Sequence, residues 1–332
     1  MGHGLIHALA KDHAHAYDVL ALDIKDIAAD LRPMCSATIA GDILDHHMLE
    51  RLVSEYEIHA IFHLAALLST RSEFTPETAH EVNVTGTLNL LRLAVEQARW
   101  HGKPVKFLFP SSIAVYGIPT LVQKRATGKL DETRCLMPTT MYGCNKLYCE
   151  HLGRYFTSYY RQLGALASAS RLDFRSLRFP GLISADTAPT GGTSDFGPEM
   201  LHAAAQGKPY ACFVGPDAKI PFMAMPDAVR ALLGLLEADR EKLTQTVYNV
   251  SAFSVSAAEI ATRVKAAFPG AEITYAPDPV RAKIVDSWPE DMDDAKARRD
   301  WKWSPTYDFG RAFDEYLVPR IRQRYAAKAA HQ

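Results

Sequence analysis

Val105-Lys106-Phe107-Leu108-Phe109-Pro110-Ser111-Ser112-Ile113-Ala114-Val115-Tyr116-Gly117, followed by Tyr142-Gly143-Cys144-Asn145-Lys146, is the stretch on which the fold turns. Its first five residues form an apolar strand run stopped by a proline. A serine hydroxyl at such a strand end can hydrogen-bond a substrate oxygen. Tyr142 and Lys146 are four apart, so on a helix they share one face, one turn apart. An ammonium near a phenol favours the phenolate and lowers its pKa from about 10, which makes Tyr142 a candidate general acid/base. The pair alone is weak evidence, because a chain with 14 tyrosines produces one by chance. A serine after strand and proline also serves as an ordinary helix cap. Strand, serine and then Tyr-x-x-x-Lys on a helix is a much rarer combination.

Outward from this stretch, short apolar runs alternate with helical periodicity. Strands are expected at 19–23, 37–43, 60–64 and 174–179, the last stopped by Pro180. Helices are expected at 4–16, 45–55, 76–100 and after Tyr142. Strands separated by helices mean a parallel sheet with crossovers, covered on both faces. The fold class is therefore α/β, a doubly wound Rossmann-type sheet. After residue 180 the elements shorten and Pro and Gly cluster. Helices at 226–238, 256–268 and from 309, with strands at 246–250 and 272–275, read as a smaller lobe. The expected division is 1–180 for the dinucleotide domain and 181–332 for the substrate lobe, with some chain returning to the sheet. Gly164–Arg171, rich in Ala and Ser, reads as a local insertion.

In such sheets ligands bind beyond the carboxyl ends of the strands. Asp23 closes the second strand of the pattern, where an acid accepts ribose hydroxyls. Asp42 is placed for the adenine edge. Either could instead be a helix cap or turn residue. Leu64, Ala65 and Ala66 end the third strand, where small residues let the backbone run along a flat cofactor. Asn83 sits in a long helix at some cost in propensity, which implies a role such as an amide linking neighbouring strand ends. A dinucleotide fold opens with a strand and a glycine loop. Here the chain begins Met1-Gly2-His3-Gly4, and Gly2 stands at the right distance from Asp23 to be the last glycine of that loop. The first strand and the earlier glycines are thus expected to be missing, with fewer phosphate donors and exposed strand edges.

Composition narrows the class. Of 332 residues 48% are hydrophobic and 23% charged, with a net charge of −1, so nothing favours nucleic acid or an anionic membrane. No apolar run reaches the roughly 18 residues a membrane helix needs. The 5 cysteines show no regular spacing, which argues against a disulfide framework and for a reducing compartment, the cytoplasm. Among the 13 histidines, His3 and His7 lie one helical turn apart, with His13, His15, His46 and His47 nearby. No HExxH or Cys/His set accompanies them, so they read as solvated faces and no metal is expected. Trp288, Trp301 and Trp303 read as core packing or as a wall over the substrate.

The segments PSSIAVYG, MYGCNK and HLAALLS resemble the extended short-chain dehydrogenases/reductases. SLRFPGLIS, GGTSDF, IPFMAMPDAVRA, IVDSWPEDMDD and ARRDWKW narrow this, and together are similar to the short-chain L-threonine 3-dehydrogenases. The resemblance runs from Gly2 to about residue 317. It implies NAD as cofactor, L-threonine as substrate and a homodimer through helices flanking the sheet, the Tyr142 helix included. It also implies Ser112, Tyr142 and Lys146 as catalytic, Asp23 at the ribose, and Leu64 and Ala65 beside the cofactor. Pro180, Gly181, Leu182 and Ile183 match the segment beside the nicotinamide. Ser69, Thr193 and Asp195 match substrate contacts. Pro189-Thr190-Gly191-Gly192 has one glycine fewer than the family pattern. The mitochondrial matrix is the alternative to the cytoplasm if the source is eukaryotic and the N-terminus is truncated. Two other readings stay open: a nucleotide-sugar epimerase or dehydratase of the same fold, and an inactive fragment that cannot hold cofactor.

Overall fold

The computed structural model describes residues 1–12, 17–163 and 172–329, so Gly164–Arg171, His13 and His15 lie outside the described residues. In chain order the elements are α1 (Gly2–Asp12), β1 (Leu20–Asp23), β2 (Ala37–Ala40), α2 (His46–Glu55), β3 (Ala60–Phe62), α3 (Ser69–Phe74) and α4 (Pro76–His80). A π turn (Glu81–Thr85) leads into α5 (Gly86–His101), β4 (Val105–Ser112), α6 (Leu121–Thr127), β5 (Lys129–Leu130), α7 (Met141–Ser158) and β6 (Leu172–Phe179). The remainder holds β7 (Gly181–Ile183), α8 (Phe196–Ala205), β8 (Tyr210–Cys212), β9 (Lys219–Ala224), α9 (Met225–Glu237), β10 (Val247–Asn249) and β11 (Phe253–Ser256). It closes with α10 (Ala257–Ala267), β12 (Ile273–Tyr275), α11 (Pro279–Asp286), β13 (Asp291–Met292), α12 (Ala295–Trp301), α13 (Phe309–Arg311), a second π turn (Ala312–Leu317) and α14 (Val318–Ala329).

The main sheet runs β10-β6-β4-β3, every pair parallel, and β10 is the segment of chain that returns to it after residue 180. Alternation along β4 sends Phe107 and Phe109 to one face, where Leu91, Cys149, Phe156 and Phe174 pack. Leu108 points to the other face, against Leu232, Leu235 and Tyr248. Both faces are thus covered, as a doubly wound sheet requires. β1 and β2 form a separate parallel pair. No strand among the described residues joins β1 to β3. Leu5 and Leu9 of α1 pack on Val229 and Leu233 of α9, beside Phe62 and Leu64. A further core lies around Phe196, Met200, Phe222, Ile260 and Tyr316. Ile113–Tyr116, which follow β4, are buried in that same core.

Three boundaries differ from expectation. Pro110 does not stop β4, which continues to Ser112 paired with β6. β3 has already ended at Phe62, opposite Leu108, so the missing N–H of Pro110 breaks no ladder bond on that side. The strand expected to reach Ile43 ends at Ala40, because the Asp42 carboxylate accepts the N–H of Leu44 and turns the chain. The helix expected at 76–100 is three pieces, with a π turn around Asn83.

Candidate active site

Ser112 is the last residue of β4, and its hydroxyl caps the following turn by accepting the N–H of Ala114 at 3.1 Å. α7 starts after Thr140, whose hydroxyl accepts the N–H of Gly143 at 3.1 Å. At Gly143 the helix lies on the backbone after Ser112: a Cβ there would stand 2.1 Å from the carbonyl oxygen of Ala114. Only glycine permits that approach. It brings the first turn of α7, with Tyr142, against the end of β4. One turn on, the buried Lys146 donates through Nζ to the carbonyl of Pro110 at 2.7 Å. The same Nζ lies 4.4 Å from the Phe109 ring centre and 5.5 Å from that of Tyr142. Tyr142, Lys146 and the tip of β4 are therefore one cluster.

Burial dominates the electrostatics. It raises the Tyr142 phenol above its ordinary value, against the expectation of a lowered one. Burial also lowers Lys146 to about 8, with Cys149 and Glu150 opposing the fall. His63, behind the cluster, is pushed down to about 3 by burial and then by the charge of Lys146. It is a neutral ring whose Nε2 lies 2.8 Å from the Thr87 hydroxyl.

The expected cofactor residues gather at the carboxyl ends of the parallel strands. Asp23 ends β1, exposed, and its carboxylate accepts the N–H of Lys25. Leu64, Ala65 and Ala66 follow β3, with Ala65 exposed. Gly2 opens α1 beside them, and a Cβ there would meet Leu64 Cδ1 at 3.5 Å. A helix start, an exposed acid and small residues along strand ends fit a dinucleotide's phosphates, ribose and flat ring. Asn83 is buried and fully engaged. Its amide brackets Leu67, accepting N–H at 2.8 Å and donating to the carbonyl at 3.0 Å, and also donates to Asn145 at 3.2 Å. It joins the segment after β3 to α7, a helix, rather than linking two neighbouring strand ends as expected. Pro180 separates β6 from β7, which holds Leu182 and the buried Ile183.

The Thr193 N–H faces the Ser69 hydroxyl at 3.4 Å, so two of the three expected substrate residues meet. Asp195 precedes α8, and its carboxylate accepts the N–H groups of Thr190 and Gly192, holding the glycine turn. Trp288, Trp301 and Trp303 pack with the two cores.

Sequence reasoning missed a buried network behind β4. Ser111 donates to Glu150 at 2.5 Å, and Arg178 grips the same carboxylate at 2.9 and 2.6 Å. Arg178 also donates to Tyr116, which donates to Asn249 on β10. The available signal was a Glu one turn after Lys146 and an Arg inside a strand expected to be apolar.

Residues 1–251 match the NAD dependent epimerase/dehydratase family. The chain belongs to that family. It is thus an NAD-dependent enzyme of the epimerase/dehydratase type. It is 39% identical over 270 residues to a protein named mitochondrial L-threonine 3-dehydrogenase from Bos taurus, covering 81% of this chain and 67% of the relative. An uncharacterized epimerase/dehydratase of Staphylococcus haemolyticus is 34% identical over 308 residues, 92% of this chain and 90% of the relative. Among solved structures, the holo form of a threonine dehydrogenase from Cupriavidus necator superposes with a TM-score of 0.81 at 33% identity, over 98% of this chain and 96% of that one. A monomeric L-threonine 3-dehydrogenase from a metagenome gives 0.84 at 32% identity, over 97% and 96%. No described helix is long and apolar enough to cross a membrane.

Proposed function

We propose that this family member oxidises the secondary hydroxyl of L-threonine with NAD, giving 2-amino-3-oxobutanoate. The observation that carries the reading is the cluster of Lys146, Tyr142 and the β4 tip, with Nζ 2.7 Å from the Pro110 carbonyl and 5.5 Å from the Tyr142 ring. When bound, NAD supplies the hydride acceptor and a positive ring. Asp23, the start of α1, residues 64–66 and 180–183 would hold it. Tyr142 takes the hydroxyl proton. Lys146, a buried cation, favours the phenolate that accepts this proton. Ser112 holds the reacting oxygen in one orientation. Ser69 and Thr193 face the amino-acid end of the substrate, with Asp195 nearby. Asp23 disfavours a ribose phosphate, so NAD is preferred over NADP.

Exposed Tyr148, Tyr155 and Tyr159 at α7, with Trp100 on α5, offer a surface for a homodimer. Light scattering measures its mass directly, and a monomer at all concentrations contradicts it. The five free cysteines support a reducing compartment such as the cytoplasm.

The deciding experiment follows NADH absorbance with L-threonine and, separately, with nucleotide sugars. NADH accumulates with L-threonine. Sugar interconversion at constant NADH, with no response to L-threonine, would replace this reading by that of an epimerase.

A further inference from the structure

α1 and the segment after β1 meet beside the proposed cofactor site, at side chains to which that reading gives no role. His3 and His7 stand one turn apart on α1, their ring centres 4.6 Å from each other. His3 Nε2 is 2.9 Å from a carboxylate oxygen of Asp30, which lies 27 residues away in the chain. One ligand atom from each of His3, His7 and Asp30 falls within 4.8 Å of the other two. The histidines alone read as a solvated helix face. Asp30, which the fold brings to them, turns two imidazoles into a mixed nitrogen and oxygen set.

We propose that His3, His7 and Asp30 form a binding site for a divalent transition cation of the zinc class. Neutral imidazoles and one carboxylate suit zinc, cobalt or nickel, whereas magnesium and calcium prefer all-oxygen sets. Zinc–nitrogen and zinc–oxygen bonds of about 2.0–2.2 Å put neighbouring ligand atoms a little over 3 Å apart. Binding would require the ligand atoms, which lie within 4.8 Å of one another, to draw together to that value. His3 and Asp30 are more than half exposed, at 57% and 59%, so the ion keeps waters at its remaining positions. The competing account is an ion pair between His3 and Asp30 to which His7 adds a nearby charge.

The site has a mechanical consequence. α1 begins at Gly2 beside Leu64, and the chain from β1 to Asp30 starts at Asp23. A bound cation ties the first turns of α1 to that chain and stabilises the folded state by linkage.

The test uses the full chain, treated with chelator and dialysed. Co2+ serves as the spectroscopic probe and Zn2+ as competitor, with calorimetry for stoichiometry. We expect one equivalent of Co2+ with visible d–d bands, displaced by Zn2+, and a higher melting temperature with Zn2+. His3→Ala and His7→Ala should each weaken binding by an order of magnitude or more, and Asp30→Asn should weaken it as well. His47→Ala, on the exposed face of α2, should leave it unchanged. Circular dichroism checks that each exposed-residue variant is folded. Absence of stoichiometric binding, as a plain ion pair predicts, overturns the proposal. So does binding of the same strength in the His3 and His7 variants, which would place the ion elsewhere.

Discussion

Burial pushes Tyr142 and Lys146 alike toward their neutral forms. Burial keeps the phenol protonated and pulls the ammonium down to about 8. The proton-accepting form of Tyr142 is therefore scarce at neutral pH, and oxidation should quicken as pH rises, by about tenfold per unit on the limb. Lys146→Ala removes the cation, so the rising limb should move to higher pH and the rate at pH 7 should fall. A kcat/KM profile against pH measures this, and an unshifted limb would remove Lys146 from any role in tuning the phenol. Lys146 also links pH to stability. Its pKa is lower folded than unfolded, so the unfolded chain binds the extra proton between pH 8 and about 10.5. The cost of burying the charge is full below that window and fades as pH rises through it. Ser112, Tyr142 and Lys146 were legible because strand end and helix spacing place them. Glu150, Arg178 and Asp30 were not, since each acquires its partner only through contacts distant in sequence.

α7 is positioned by close backbone contact at one residue. Gly143→Ala puts a Cβ 2.1 Å from the Ala114 carbonyl oxygen, where backbone cannot yield cheaply. We expect destabilisation of about 1–3 kcal/mol or more, and a larger loss in kcat than in NAD affinity. Thermal melting and cofactor titration check this; an unchanged melting temperature would mean that α7 does not rest where described. Glu150, further along the same helix, neutralises the buried Arg178 on β6. Glu150→Ala should cost about 3–5 kcal/mol, because a guanidinium is left buried without its partner. Denaturant unfolding measures that cost, and a loss under 1 kcal/mol on the order of a surface pair would contradict it. Strand and helix identity were largely readable from apolar periodicity. The π turn around Asn83 was not, because the amide is held by Leu67 and Asn145 rather than by its own helix.

Taken together, the molecule is a doubly wound sheet beside the smaller lobe proposed for the residues after 180. The turn after β4 is buried in that lobe's core. The proposed catalytic hydroxyls and the lobe proposed to cover the substrate are thus mechanically joined. The strand at 246–250 was expected in the smaller lobe but pairs with β6, whereas the parallel layers were legible from alternating patterns. The pairing of β7, β9 and β11, and the packing of 113–118 into the smaller core, were not, because these short segments carry no period of their own. A fold of this type hosts enzymes of many chemistries. Fold alone therefore does not select the reaction. The comparison that does is the turnover of Tyr142→Phe against the unaltered chain, with L-threonine and saturating NAD. A drop of about a hundredfold or more, with NAD binding retained, is the predicted result. Equal turnover in the two proteins would contradict the assignment of proton transfer to this phenol.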